Sequence, residues 1–215
     1  MLRALLLDFG SVISYSLFEQ HRLTEKRLGL AEGTLTWMGP FAPESDALWQ
    51  QMLRDEISER EYWGQRARET GKLLGNDWTM LEFITAAREV NDLVVRPEIA
   101  ELVADCQAAG KPVAILSNEL ELFYGTDVKE KLSILDEMAF IVDATYTKIL
   151  KPDPRAYHLA IDGFGLEARD IVFVDDQKRN ILGAERVGIQ AVHFDITSVN
   201  SSVARIRELL ALGKM

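Results

Sequence analysis

Six residues of this chain have the types and spacing to do chemistry together: Asp8, Ser117, Asn118, Lys151, Asp175 and Asp176. Asp8 ends the aliphatic run Leu5-Leu6-Leu7, Ser117-Asn118 ends Val113-Ala114-Ile115-Leu116, and Asp175-Asp176 end Ile171-Val172-Phe173-Val174. A carboxylate at the tip of a buried strand can be a nucleophile, a metal ligand or a cap for the next turn. Three clustered carboxylates would repel and raise one another's pKa. A divalent cation removes that penalty, and Mg²⁺ suits a site of few carboxylates plus a substrate phosphate. Lys151, ahead of Pro152-Asp153-Pro154, would be a second point charge beside the same anion. Gly10 is expected to let the backbone turn tightly after Asp8 and approach a ligand. Ser11 either bonds that ligand or braces its own turn.

For these residues to meet, the runs that carry them must be parallel strands, because ligands of such sheets bind at the carboxyl ends. From Arg96 onward strand and helix alternate: helix from Pro97 to Gly110, strand 112–116, a short strand 140–142, helix 154–164, strand 171–174, helix 180–187, strand 190–194 and a closing helix 203–212. The pattern predicts an α/β fold, a doubly wound Rossmann-like parallel sheet covered on both faces. Residues 17–90 read differently, as three or four amphipathic helices with no strand. Phe18, Leu23, Leu28 and Leu30 are expected on one helical face, and Leu48, Met52 and Leu53 on another. Ser58 and Glu61 have capping-box spacing, and Asp77 is placed to cap a helix that turns Met80, Leu81, Phe83 and Ile84 inward. All four tryptophans fall in this insert, expected mostly in its own core.

The net charge of −10 argues against nucleic acid as a partner. No apolar run nears the roughly 20 residues needed to span a bilayer. With no signal-peptide pattern and a single cysteine, Cys106, in a helical segment, a cytoplasmic protein is expected. His21, His158 and His193 are scattered, so no zinc site is indicated.

The four motifs, in this order, resemble the haloacid dehalogenase superfamily over essentially the whole chain, with an α-helical (C1-type) cap inserted after the first. The resemblance implies a core of residues 1–16 and 92–215, a cap of 17–91, and a working monomer or homodimer. It makes Asp8 the nucleophile and metal ligand. Gly10 would offer a backbone carbonyl to Mg²⁺. Ser117, with Asn118 and Ser11 beside it, would hold the transferring phosphoryl. Lys151 would orient nucleophile and phosphate, Asp176 would contact the metal directly, and Asp175 directly or through water. The expected activity is a Mg²⁺-dependent phosphatase acting on a small phosphorylated metabolite, with a sugar phosphate as one candidate.

One position departs from the family's phosphatases: the second aspartate, which protonates the leaving group, is here Gly10. Asp-Phe-Gly-Ser-Val resembles the Asp-x-Gly-x-Val variant of some sugar-phosphate phosphatases and epoxide hydrolase N-terminal-domain relatives. Losing a general acid typically lowers the rate by about 10²–10⁴. Two alternatives stay open: a metal-independent 2-haloacid dehalogenase, in which Asp8 attacks carbon, and a catalytically weak binding or regulatory protein.

Overall fold

The computed structural model describes residues 2–213. The strands are β1 Ala4–Leu7, β2 Val113–Ser117, β3 Ile141–Asp143, β4 Ile171–Asp175 and β5 Gln190–His193. They form one sheet in the order β3-β2-β1-β4-β5, with every pairing parallel. The helices are α1 His21–Leu28, α2 Ala47–Leu53, α3 Glu59–Leu73, α4 Met80–Ala87, α5 Pro97–Ala108, α6 Leu120–Tyr124, α7 Val128–Lys131, α8 Ala144–Thr147, α9 Pro154–Phe164, α10 Lys178–Arg186 and α11 Val199–Leu209. None is long and apolar enough to cross a membrane among the described residues.

The chain divides into two compact units. One holds the sheet and comprises residues up to Tyr15, Asn91–Glu121 and the chain from Thr126 onward; the other comprises Ser16–Val90 with Leu122–Gly125. In the sheet unit, β1, β2 and β4 are buried on both faces, which is why they read as unbroken apolar runs. Leu6, Ala114, Leu116 and Phe173 pack on one face with Ala156, Tyr157 and Ala160 of α9 and Ile181 and Ala184 of α10. Alternation sends Leu5, Leu7, Ile115 and Val174 to the other face, where α5 packs on β2 and α11 on α5 and β5. Cys106 is buried there in α5 as a free thiol, and burial pushes its pKa up to about 11. Register aligns the strand ends: Leu7 pairs with Ile115 on one side and Val174 on the other. Asp8, Ser117 and Asp175 therefore emerge at one edge. β1 is central, and the strand order reverses between it and β4, the place where such sheets hold ligands.

The second unit is built on an aromatic core of Phe18, Trp37, Tyr62, Trp63 and Phe83, all buried, with Trp49 and Trp78 half-buried against it. Phe18 explains Gly39: that residue has φ +48°, and a Cβ there would lie 2.4 Å from the ring. The Ser58–Glu61 capping box opens α3 as expected. Asp77 does not cap α4; Thr79 does, in a second capping box with Glu82, because its hydroxyl can accept from the N3 amide while Glu82 reaches back. The buried helical faces are narrower than the spacing predicts. Leu23, Leu53 and Leu81 are exposed, and Phe18 precedes α1 rather than belonging to it.

Candidate active site

At the carboxyl edge of the sheet, Lys151 ties two strand tips together. Its Nζ lies 2.8 Å from Asp8 Oδ1 and 2.7 Å from Asp175 Oδ2, and its side chain is 1% exposed. The Phe173 ring lies 5.4 Å from the same nitrogen. Burial works against the ammonium charge, but the two carboxylates outweigh it, and the pKa of Lys151 is raised. A primary ammonium carries three donors, of which these carboxylates engage two.

The turn that delivers Lys151 is held from two sides. Asn118, just past β2, accepts from the Lys151 backbone N–H through Oδ1 at 2.7 Å and donates to its carbonyl through Nδ2 at 3.2 Å. Asn118 thus uses its amide to fix Lys151. On α10, Gly183 packs so close that a Cβ would lie 2.8 Å from Pro152 Cβ and 2.6 Å from Tyr157 Oη. Tyr157 itself donates to the Asn180 carbonyl at 2.7 Å. Ser117 is buried, its hydroxyl accepts from Glu119 N–H at 3.3 Å, and its proton can be donated to a ligand oxygen.

Asp175 is fully buried and its lone pairs are well used. Oδ1 accepts from Gln177 N–H at 2.8 Å, Oδ2 from Lys151, and both oxygens accept from Asn180 Nδ2 at 3.0 Å. Asp176, next in the chain, is half-buried, and its carbonyl oxygen lies 2.9 Å from His193 Nε2. Carboxylate oxygens of Asp8, Asp175 and Asp176 all lie within 4.8 Å of one another, the one such metal-competent group among the described residues. Three carboxylates against one ammonium leave the cluster a formal charge of −2, and its donors are all hard oxygens, as Mg²⁺ requires.

Gly10 differs from the sequence expectation. Its φ of −64° and ψ of 134° suit any residue, and nothing lies within 4 Å of where a Cβ would be. The left-handed residue is its neighbour Ser11, with φ 62°. The turn after Asp8 is therefore made at Ser11. Its carbonyl accepts from Arg96 Nε at 3.1 Å and Nη2 at 3.0 Å. Arg96, Gln177 and His193 carried no local signal as site residues. Asn180, also without such a signal, is a partner of Asp175. Arg22 and Arg54 form exposed ion pairs, whereas Arg66 is half-buried against the buried Asp46 at 2.5 Å.

The chain is similar in sequence and in fold to known proteins. (S)-2-Haloacid dehalogenase 4A of Burkholderia cepacia is 33% identical over 106 residues, 48% of this chain and 45% of that protein. Phosphoserine phosphatase of Thermus thermophilus is 24% identical over 168 residues, 76% of this chain and 58% of that protein. The chain thus spans about half the length of these curated relatives. The crystal structure of a dehalogenase superposes with a TM-score of 0.65 at 19% identity, covering 99% of this chain and 98% of that one, a likeness of fold. The haloacid dehalogenase-like hydrolase model matches residues 5–188, and the chain belongs to that family of hydrolases.

Proposed function

We propose that the protein is a Mg²⁺-dependent phosphatase that hydrolyses a small phosphorylated metabolite through an aspartyl-phosphate on Asp8. The observation that carries this reading is the buried Asp8–Lys151–Asp175 chain with Asp176 alongside. Asp8, Asp176 and the Gly10 carbonyl would hold the cation, with Asp175, already engaged by three donor groups, linked directly or through water. The cation would supply charge neutralisation at the phosphoryl oxygens, the chief need of phosphoryl transfer.

The protein groups divide the remaining work. Lys151 keeps Asp8 ionised and aimed. An Asp8 oxygen attacks phosphorus, and the bond from phosphorus to the leaving oxygen breaks with its electron pair going to that oxygen. Ser117 and Ser11 would bond the phosphoryl oxygens. Water then attacks the phosphorus, the bond to Asp8 breaks, and the carboxylate and inorganic phosphate are released. With no acid at residue 10, the leaving oxygen must be stable as an anion or draw its proton from water or substrate. An anomeric sugar phosphate meets that condition.

The dehalogenase reading is the second, favoured by Gly10 and by the sequence match to the Burkholderia cepacia enzyme. The intact Asp175-Asp176 pair weighs against it, since attack on carbon needs no cation. Phosphate release from a panel of sugar and other monophosphates, with Mg²⁺ and with EDTA, tests the proposal. Release abolished by EDTA, and lowered at least about 10⁴-fold by Asp8→Asn, is expected. Halide release from 2-haloacids that ignores EDTA would replace it with the second reading.

A further inference from the structure

Arg96 is the largest fully buried side chain among the described residues, 1% exposed, yet it belongs to no strand-end motif. Its guanidinium forks onto a single backbone oxygen, the Ser11 carbonyl, with Nε at 3.1 Å and Nη2 at 3.0 Å. The Tyr15 ring lies 4.8 Å and the Phe194 ring 5.7 Å from its Cζ. Its own backbone N–H donates to Ile13 at 2.8 Å, and Tyr15 N–H donates to Val94 at 2.8 Å, so residues 13–15 and 94–96 are stitched in register. Arg96 also precedes Pro97 at the first position of α5, which anchors it to a regular element.

What this anchor grips is the one left-handed residue between Asp8 and Ile13. Ser11 has φ 62° and ψ −18°, a conformation that crowds the Cβ of any L-residue other than glycine and persists only where the surroundings hold it. An apolar side chain would fill the volume of Arg96 without burying a charge. It would not supply two N–H groups aimed at one carbonyl.

We propose that Arg96 is a positioning residue for the nucleophile loop: its fork on the Ser11 carbonyl holds the left-handed turn, and the turn fixes the backbone that follows Asp8. The kinetic side of this proposal rests on the phosphatase reading; the structural side does not. A misplacement of about 1 Å at a reacting group can lower a rate about 10²-fold. A residue of general structural value would instead loosen the whole sheet unit.

The test is hydrogen exchange with kinetics on Arg96→Met, Arg96→Lys and the double variant Ser11→Gly/Arg96→Met. In Arg96→Met, amides of residues 9–14 are expected to exchange at least about tenfold faster while those of β4 and α9 keep their rates. On a turned-over phosphate ester, kcat should fall about 10²-fold with KM changed less than about threefold. Adding Ser11→Gly should restore part of the loop's protection, because glycine enters the left-handed region without the side-chain penalty. Should Arg96→Met fail to fold, Arg96→Lys, which keeps the charge but loses the fork, carries the same exchange comparison. Unchanged exchange at residues 9–14, or a uniform rise across the sheet unit, overturns the proposal. Wild-type protein that releases no phosphate overturns the phosphatase reading and leaves the exchange result to decide Arg96.

Discussion

Replacing Lys151 by methionine removes the ammonium while nearly keeping the side-chain volume, so it isolates the charge. At N···O separations of 2.8 and 2.7 Å, each pair contributes about 6 kcal/mol of raw attraction at an effective dielectric of about 20. Most of that is offset by removing the ions from water. Taking away one partner strands the others, and the expected loss of stability is about 3–5 kcal/mol. That would be a large share of the 5–15 kcal/mol typical of a domain, as an order of magnitude. The loss also has a required pH dependence. In the wild type the pKa of Lys151 is raised above its ordinary value. Its contribution is therefore complete below the unfolded-state pKa of about 10.5, constant from pH 5 to 8, and lost only as pH climbs through the higher folded value. In the variant the stranded carboxylates stay buried with no cation beside them, which disfavours their charged form. The folded state then binds more protons, so stability falls as pH rises. Urea unfolding of both proteins at pH 5, 6.5 and 8 is the assay, and the gap should widen steadily toward pH 8. A gap below about 1 kcal/mol at pH 8, or one equal at all three pH values, would refute the electrostatic account.

Three further outcomes follow from particular positions. Gly10→Asp should fold normally, since the backbone there suits any residue and the Cβ meets nothing within 4 Å. If leaving-group protonation limits turnover, it should raise kcat on alkyl phosphates by up to about 10²-fold and leave activated aryl phosphates unchanged. Equal effects on both substrate classes would count against the missing-acid argument. Gly183→Ala gains about 1 kcal/mol of helix propensity but drives a methyl into Pro152 and the Tyr157 hydroxyl. A net loss of about 1–2 kcal/mol is expected by denaturant melts, with an accompanying fall in activity because Pro152 carries the Lys151 turn; a stabilised, fully active variant would contradict the packing. His21, its pKa lowered by burial with Glu25 partly opposing, makes the unfolded state the better proton binder just below pH 6.5. Stability should therefore decline as pH falls through that value, by at most about 1.4 kcal/mol per pH unit. Calorimetry of His21→Leu should show a shallower decline, and an identical slope would remove His21 from the account.

The sheet was legible because burial on both faces forces unbroken apolar runs, and a polar residue must appear where each run meets the ligand edge. Leu5-Leu6-Leu7-Asp8 and Ile171-Val172-Phe173-Val174-Asp175 show both features. The helices of residues 16–90 were legible only as a class. Helices α1, α2 and α4 run only seven or eight residues, too short for spacing to separate core from surface positions, and Leu23, Leu53 and Leu81 are exposed. Thr79 and Asp77 are both good caps by type. Only the reciprocal bond with Glu82, three residues on from Thr79, separates them.

What the sequence hid were contacts made by charged side chains to groups far along the chain. Arg96 lies 85 residues from Ser11, and neither residue type announces the pairing. Asp46 is a second case: it caps α2 through Trp49 N–H at 2.8 Å and also accepts from the Tyr62 hydroxyl at 2.8 Å and from Arg66. Local spacing could suggest the cap but not the other two donors. Glycine misled for a related reason. Gly10 stands where a tight turn is needed, so conformational freedom looked like its purpose, yet the left-handed turn sits on Ser11 with an arginine holding it. With the turn made elsewhere, the backbone places no demand for glycine at residue 10. What glycine does there is withhold a side chain, and with it a proton donor, from the space beside Asp8. On the phosphatase reading, the identity of that residue bears on the choice of leaving group and not on the fold.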